Sequence, residues 1–443
     1  MTSQTGTRGL KGAFLIAVLS AIAAPAWAQE GAPEAARAVG PPAELDGAHL
    51  YSVSGSFQYS SIPLTLLTTA NPAAFGPEAS GLFGVGVGFT HRVGRSLGRF
   101  SIRYDPSYSR YFTYSGLNSF NQRLGLDFTT KIGKHWSLTA AGTGEDATLD
   151  QYLFGSIASA GAGETPPPGA VAATAGQAAL YGVKRLTVTG DVNLGYHPSA
   201  RWAVVARTYA NESDSRVDQQ QSAAALIPHI FTGGAVVTAN FSATPETTIG
   251  ATADTIKSRS ALADYQISTF RGTVRRKFAR KWYAELAAGG GYASVAANLA
   301  NVKPGASYVY SGGFGYKGRE DNFSATYARM MGDSYGYGSA TTSTATAMWN
   351  WFARSRQWSL SALGSRQQLA GSALGQLTAW EASIGVSKPL GRQATVTCSY
   401  VNLTESAPLV RVGDFSVHEV RLGVVWIPFL REVARLNRQI ATN

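Results

Sequence analysis

The sequence predicts an all-β chain, a transmembrane antiparallel barrel of about eighteen strands, with sixteen as the other count that fits. Three observations point there. Apolar and polar residues alternate with period two along most of the chain. The connections between these segments alternate between short basic ones and longer ones poor in Lys and Arg. Aromatic residues gather beside the short connections. Composition agrees: the chain is 44% hydrophobic but only 15% charged, against roughly 25% charged in soluble domains. Gly, Ser, Thr and Tyr supply the polar surface instead.

The first 28 residues read as a secretory signal peptide. Arg8 and Lys11 precede an apolar run from Ala13 to Ala24, and Ala26 and Ala28 place small residues for cleavage after Ala28. The formal charge of +11 therefore does not point to nucleic acid, and no nucleic-acid partner is expected. Residues 29–47 form a periplasmic linker, too short for a folded plug. The barrel is expected over 48–429 and a periplasmic tail over 430–443.

The strands are read from the alternation. Phe83, Val85, Val87 and Phe89 are separated by glycines; Leu124, Leu126 and Phe128 alternate with Arg123, Gly125 and Asp127. Leu186, Val188, Val192 and Leu194 repeat the pattern, as do Val420, Leu422, Val424 and Trp426. Eighteen such segments centre near residues 53, 87, 102, 126, 138, 192, 204, 237, 251, 272, 286, 312, 325, 347, 360, 384, 396 and 422. Short basic connections lie at 92–99, 131–134, 197–201, 276–281, 317–319, 354–356 and 388–392; longer ones lie at 61–78, 154–182, 211–227, 297–305 and 403–413. Short periplasmic turns facing longer extracellular loops is the asymmetry of an outer-membrane barrel. Trp136, Trp202, Trp282, Trp358 and Trp426 form the expected aromatic girdle at the turn side.

Parity assigns the lumen. Inward basic candidates are Arg103, Arg123, Arg207, Arg271, Arg275 and Arg421. Inward acidic candidates are Asp105, Asp127, Asp191, Asp254, Glu285 and Glu381, and Tyr209 is an inward aromatic. Sixteen of the 38 Lys and Arg fall on the short connections. Arg92, Arg95, Lys134, Arg201, Arg276, Lys277, Arg280, Lys281, Arg354, Arg356, Lys388 and Arg392 are read as a basic periplasmic mouth, which concentrates anions or meets lipid headgroups.

Enzymatic and metal chemistry find little support. The single Cys398 and six scattered His give no zinc spacing, and no cofactor is expected. His135 and Ser137 lie at a periplasmic turn. Ser416 and His418 share the lipid face while Glu419 points inward, which assembles no triad. The tail presents Val433, Leu436 and Ile440 on one helical face and Arg431, Arg435 and Arg438 on another, a surface for the inner leaflet or a periplasmic partner.

As a whole the chain resembles the Gram-negative outer-membrane porin class. The last strand, Arg421 to Phe429, is similar to the signal read by the barrel-assembly machinery, although Pro428 stands where the final aromatic is expected and fourteen residues follow Phe429. The resemblance implies integral outer-membrane localisation, lipid and assembly-machinery partners, and a third extracellular loop, 154–182, that either narrows the lumen, as its position suggests, or stays a surface loop, as its composition suggests. It also implies a non-enzymatic channel for small polar or anionic solutes. Export of a secreted polysaccharide and a structural or adhesive barrel with an occluded lumen are the competing expectations.

Overall fold

The computed structural model describes residues 47–61, 76–93, 98–148, 184–215, 229–279, 281–298, 304–333, 339–353, 358–372, 375–391, 393–406 and 415–428. The leader, almost all of the linker, the 154–182 loop and the C-terminal tail lie outside these residues, as do Arg95, Arg280, Arg354, Arg356 and Arg392.

The strands are β1 (Gly47–Ser60), β2 (Glu78–Val93), β3 (Gly98–Tyr111), β4 (Ser119–Ile132), β5 (Trp136–Thr148), β6 (Lys184–Tyr196), β7 (Trp202–Ser215), β8 (Ile230–Thr244) and β9 (Thr247–Ser260). They continue as β10 (Ala263–Phe278), β11 (Trp282–Asn298), β12 (Gly305–Lys317), β13 (Asp321–Asp333), β14 (Ser339–Phe352), β15 (Ser359–Ser372), β16 (Gly375–Leu390), β17 (Ala394–Ser406) and β18 (Phe415–Trp426). Every segment centre read from the alternation falls inside its own strand, so the count is eighteen. Each strand pairs antiparallel with its sequence neighbour, and β1 pairs β18. The sheet therefore has no edge. In lipid an open edge would leave N–H and C=O groups unsatisfied at several kcal/mol each, so closure is what makes the alternating face tolerable.

The strands run from 12 residues in β18 to 17 in β11, longer than the roughly 9–11 a tilted strand needs to span. The short basic connections all lie at one end, while two further short connections, between β9 and β10 and between β15 and β16, lie at the other. An eighth turn, Pro245 and Glu246 between β8 and β9, carries no Lys or Arg; it is tied by the backbone N–H groups of Glu246 and Thr247 donating to Thr244 Oγ1 at 3.2 and 3.0 Å.

One irregularity shapes the wall. The register slips between Leu50 and Ser52, which turns Tyr51 inward over Gly86. A Cβ on Gly86 would sit 2.5 Å from the Tyr51 ring, so only glycine lets the ring lie flat. A Gly86→Val variant is expected to lose about 1–3 kcal/mol. The check is the temperature at which the folded, fast-migrating form disappears on a detergent gel; an unshifted midpoint would refute the packing account.

Candidate functional site: the inner wall

Register and exposure together separate the two faces. Outward positions carry Phe57, Phe83, Val87, Phe89, Val237, Ile249, Phe270, Val274, Leu286, Ile384 and Leu422, all exposed as in a belt that faces lipid. At the turn end this belt closes in aromatics. Trp136, Trp202, Trp282, Trp358 and Trp426 are 38–47% exposed. Trp136 packs on Tyr196 at 4.5 Å, Trp202 on Phe241 at 4.9 Å and Trp282 on Tyr316 at 4.8 Å between ring centroids. Each pair joins the first residue of one strand to the partner across the ladder. Trp349 and Trp351 of β14 continue the ring; they precede the basic connection at 354–356, whereas Trp136, Trp202, Trp282 and Trp358 each follow one.

The opposite parity faces inward. Arg103, Arg123, Asp127, Asp191, Arg207, Tyr209, Asp254, Arg271, Arg275, Glu285, Glu381 and Arg421 all occupy that register, as does Asp105. The structure brings many of them into pairs. Arg103 Nη2 meets Asp127 Oδ2 at 2.8 Å, Arg207 Nε meets Asp191 Oδ2 at 3.4 Å, and Arg271 Nη2 meets Asp254 Oδ1 at 3.5 Å. Thr269 Oγ1 donates to the same Asp254 carboxylate. Asp105, Arg123 and Glu145 line up across β3, β4 and β5. Glu145 is an inward carboxylate that the parity inventory left out; its partner Arg123 was the signal that could have found it.

At the β1–β18 seam, Arg421 Nη2 donates to Gln58 Oε1 at 2.7 Å and Gln58 Nε2 donates to Glu419 Oε2 at 3.0 Å. Glu381 and Glu405 lie on the neighbouring strands, so β16–β18 carry an acidic column. Between this column and the paired charges of β3–β11, the described inward positions of β13–β15 bear no charge and present Ser324, Thr326, Thr344, Thr346, Ser365 and Gln367.

The wall is not polar throughout, contrary to the simple reading of parity. Towards the loop end, inward Tyr265, Ile267, Leu377, Leu403, Val309 and Val417 are at most 2% exposed. On β10 and β16–β18 the outward positions at that end are polar, Gln266, Ser268, Thr378, Asn402, Thr404, Ser416 and His418, so the period-two signal persists there with its sense inverted.

A recess of about 360 Å³ opens in the wall between Arg207, Tyr209, Val236, Asp254, Ile256, Arg271, Met330 and Met331. Gly234 makes room for it: a Cβ there would meet the Tyr209 ring at 2.6 Å. The Arg207 guanidinium carbon lies 5.6 Å from the Tyr209 ring centroid. Arg271 Nη1 approaches Met330 Sδ at 3.2 Å, while its buried Nε has no hydrogen-bond partner. Two cations, one carboxylate, a phenol and apolar flanks thus converge on one small volume.

No family model and no curated protein matches the chain. Among solved structures it is similar to three proteins of Pseudomonas aeruginosa. OccK9 (OpdG) is 10% identical, with a TM-score of 0.48, covering 86% of this chain and 98% of that one. OccK2 (OpdF) in complex with glucuronate is 10% identical, with a TM-score of 0.47, covering 87% and 98%. OpdK with vanillate is 10% identical, with a TM-score of 0.45, covering 86% and 98%.

The described basic residues at the turn end divide by face. Arg92, Lys134, Arg201, Arg276, Lys277, Lys281 and Lys388 all lie there. Arg276 stands over Phe278 at 5.3 Å, Lys281 over Tyr316 at 6.0 Å and Lys388 over Trp358 at 4.7 Å. These three cations lie over aromatics of the outward face at the turn end. Ser416 and His418 face outward. Ser416 Oγ is engaged by Thr404 Oγ1 at 3.1 Å and Asn402 Nδ2 at 3.2 Å, and His418 Nδ1 by Tyr400 Oη at 2.8 Å. The hydroxyl and imidazole are thus each held by β17. Cys398 is exposed on the same outward face.

Proposed function

We propose that the chain is an integral outer-membrane channel that passes small polar or anionic solutes passively. One observation carries the reading: a closed barrel whose outward face is an apolar belt and whose inward face holds paired charges, hydroxyls and an arginine-lined recess. An eighteen-strand wall encloses more space than its own side chains fill, and fixed charges on that wall select among ions. Arg207 and Arg271 are the residues that greet an anion. Each is only loosely held by its carboxylate, at 3.4 and 3.5 Å.

The test is conductance. Purified protein added to planar bilayers is expected to give discrete, stable current steps. A barrel that inserts but stays silent would overturn the channel reading and favour the occluded one.

A further inference from the structure

The outward charges near the loop end are sorted in a way the channel does not use. On β5–β10 six of them are paired: Lys184 with Asp146 at 3.3 Å, His229 with Glu212 at 2.9 Å, Arg259 with Asp264 at 3.0 Å. On β13 and β15 they are not. Arg329 and Arg366 have no ion pair among the described residues, and the Arg366 guanidinium lies over the Trp380 ring at 4.9 Å. Register makes them neighbours across one patch. Arg329 pairs with Ser343, Ser343 with Gln368 and Gln368 with Thr378, while the adjacent row holds Arg366 beside Trp380.

Depth matters. Arg366 lies eight residues along from Trp358 of the girdle, which at about 3.3 Å per residue and a tilt near 40° is about 20 Å up a belt about 25 Å tall. That is just inside the outer edge of the apolar belt. A guanidinium facing hydrocarbon is costly unless an anion meets it, and phosphates of outer-leaflet lipid stand at that level. Trp380 is 53% exposed and offers a flat face for a sugar. Ser343 and Gln368 offer hydrogen bonds for its hydroxyls.

We infer that Arg329 and Arg366 form a binding site for the phosphorylated sugar headgroup of an outer-leaflet glycolipid, with Trp380 stacking on the sugar. The inference rests on the membrane placement of the proposed function but not on conduction.

The experiment incubates purified full-length protein in detergent with diphosphoryl lipid A or its dephosphorylated form, and reads retained lipid by native mass spectrometry. Wild type is expected to retain the phosphorylated lipid at least tenfold better. The Arg329→Ala/Arg366→Ala double variant is expected to lose that preference, and the control Lys257→Ala/Arg259→Ala to keep it. Equal retention by the Arg329/Arg366 variant, or equal loss in the control, overturns the site. Conductance of the same samples separates the two claims: retained lipid with a silent barrel defeats the channel alone, and lost preference with normal conductance in the double variant supports the site alone.

Discussion

Replacing Arg207 and Arg271 together by Gln is expected to lower anion permeability relative to potassium roughly tenfold at 0.1 M salt. The reason is local. The two cations share one recess with Asp254 and Tyr209, and removing them leaves Asp191 and Asp254 without their guanidinium partners. The recess then turns from net positive to negative. The measurement is the reversal potential in a salt gradient. The size of the change should shrink sharply at 1 M salt, where the screening length falls from about 10 Å to about 3 Å. A reversal potential that does not move would show that ions bypass the recess. Gln preserves most of the side-chain volume, so loss of packing is not a competing cause.

Gly289→Ala is expected to prevent the barrel from closing. Gly289 faces Arg271 in the β10–β11 ladder, and a Cβ there would overlap the Phe270 carbonyl oxygen and come within 2.8 Å of Arg271 Cα. Those are backbone atoms of a paired strand, so no rotamer relieves the clash. Overpacking of this kind costs about 1–3 kcal/mol where side chains give way, and more where they cannot. The adjacent Gly290 is the control, since its added Cβ would find only Ser307 O at 4.0 Å. The expected result is that Gly290→Ala yields the folded, heat-modifiable band and Gly289→Ala yields little of it. Equal yields would refute the close approach.

These two sites show how far the sequence reaches. The eighteen strands are readable because lipid on one side and a polar wall on the other impose period two on long segments such as Phe83–Phe89 and Val420–Trp426. Faces follow from the same parity, which is why Arg271 and Asp254 can be assigned to one side. Their meeting cannot: it depends on the register between β9 and β10, and alternation is blind to register. The need for glycine at 289 but not at 290 is invisible for the same reason. Where the buried inward residues are apolar and their outward neighbours polar, as at Leu377, Leu403 and Val417, the alternation persists with its sense inverted and the pattern misleads. Turn chemistry without Lys or Arg, as at Thr244 to Thr247, went unannounced because basic residues were the marker for turns.

The seam between β1 and β18 has a bearing on the order of events. Only the stretch Val53–Ser60 pairs with Glu419–Trp426, and its inner side is bound by Gln58, Glu419 and Arg421. These partners come from opposite ends of the polypeptide, so this ladder bears the greatest loop-closure entropy of any in the molecule. Hairpins such as β9–β10 can form from neighbours; the seam cannot form until nearly the whole chain is in place. Until then β1 and β18 are two open templates, free to pair with other chains. Completion is therefore a single late event, and the side-chain clasp at Gln58 acts as the catch that makes it hard to reverse.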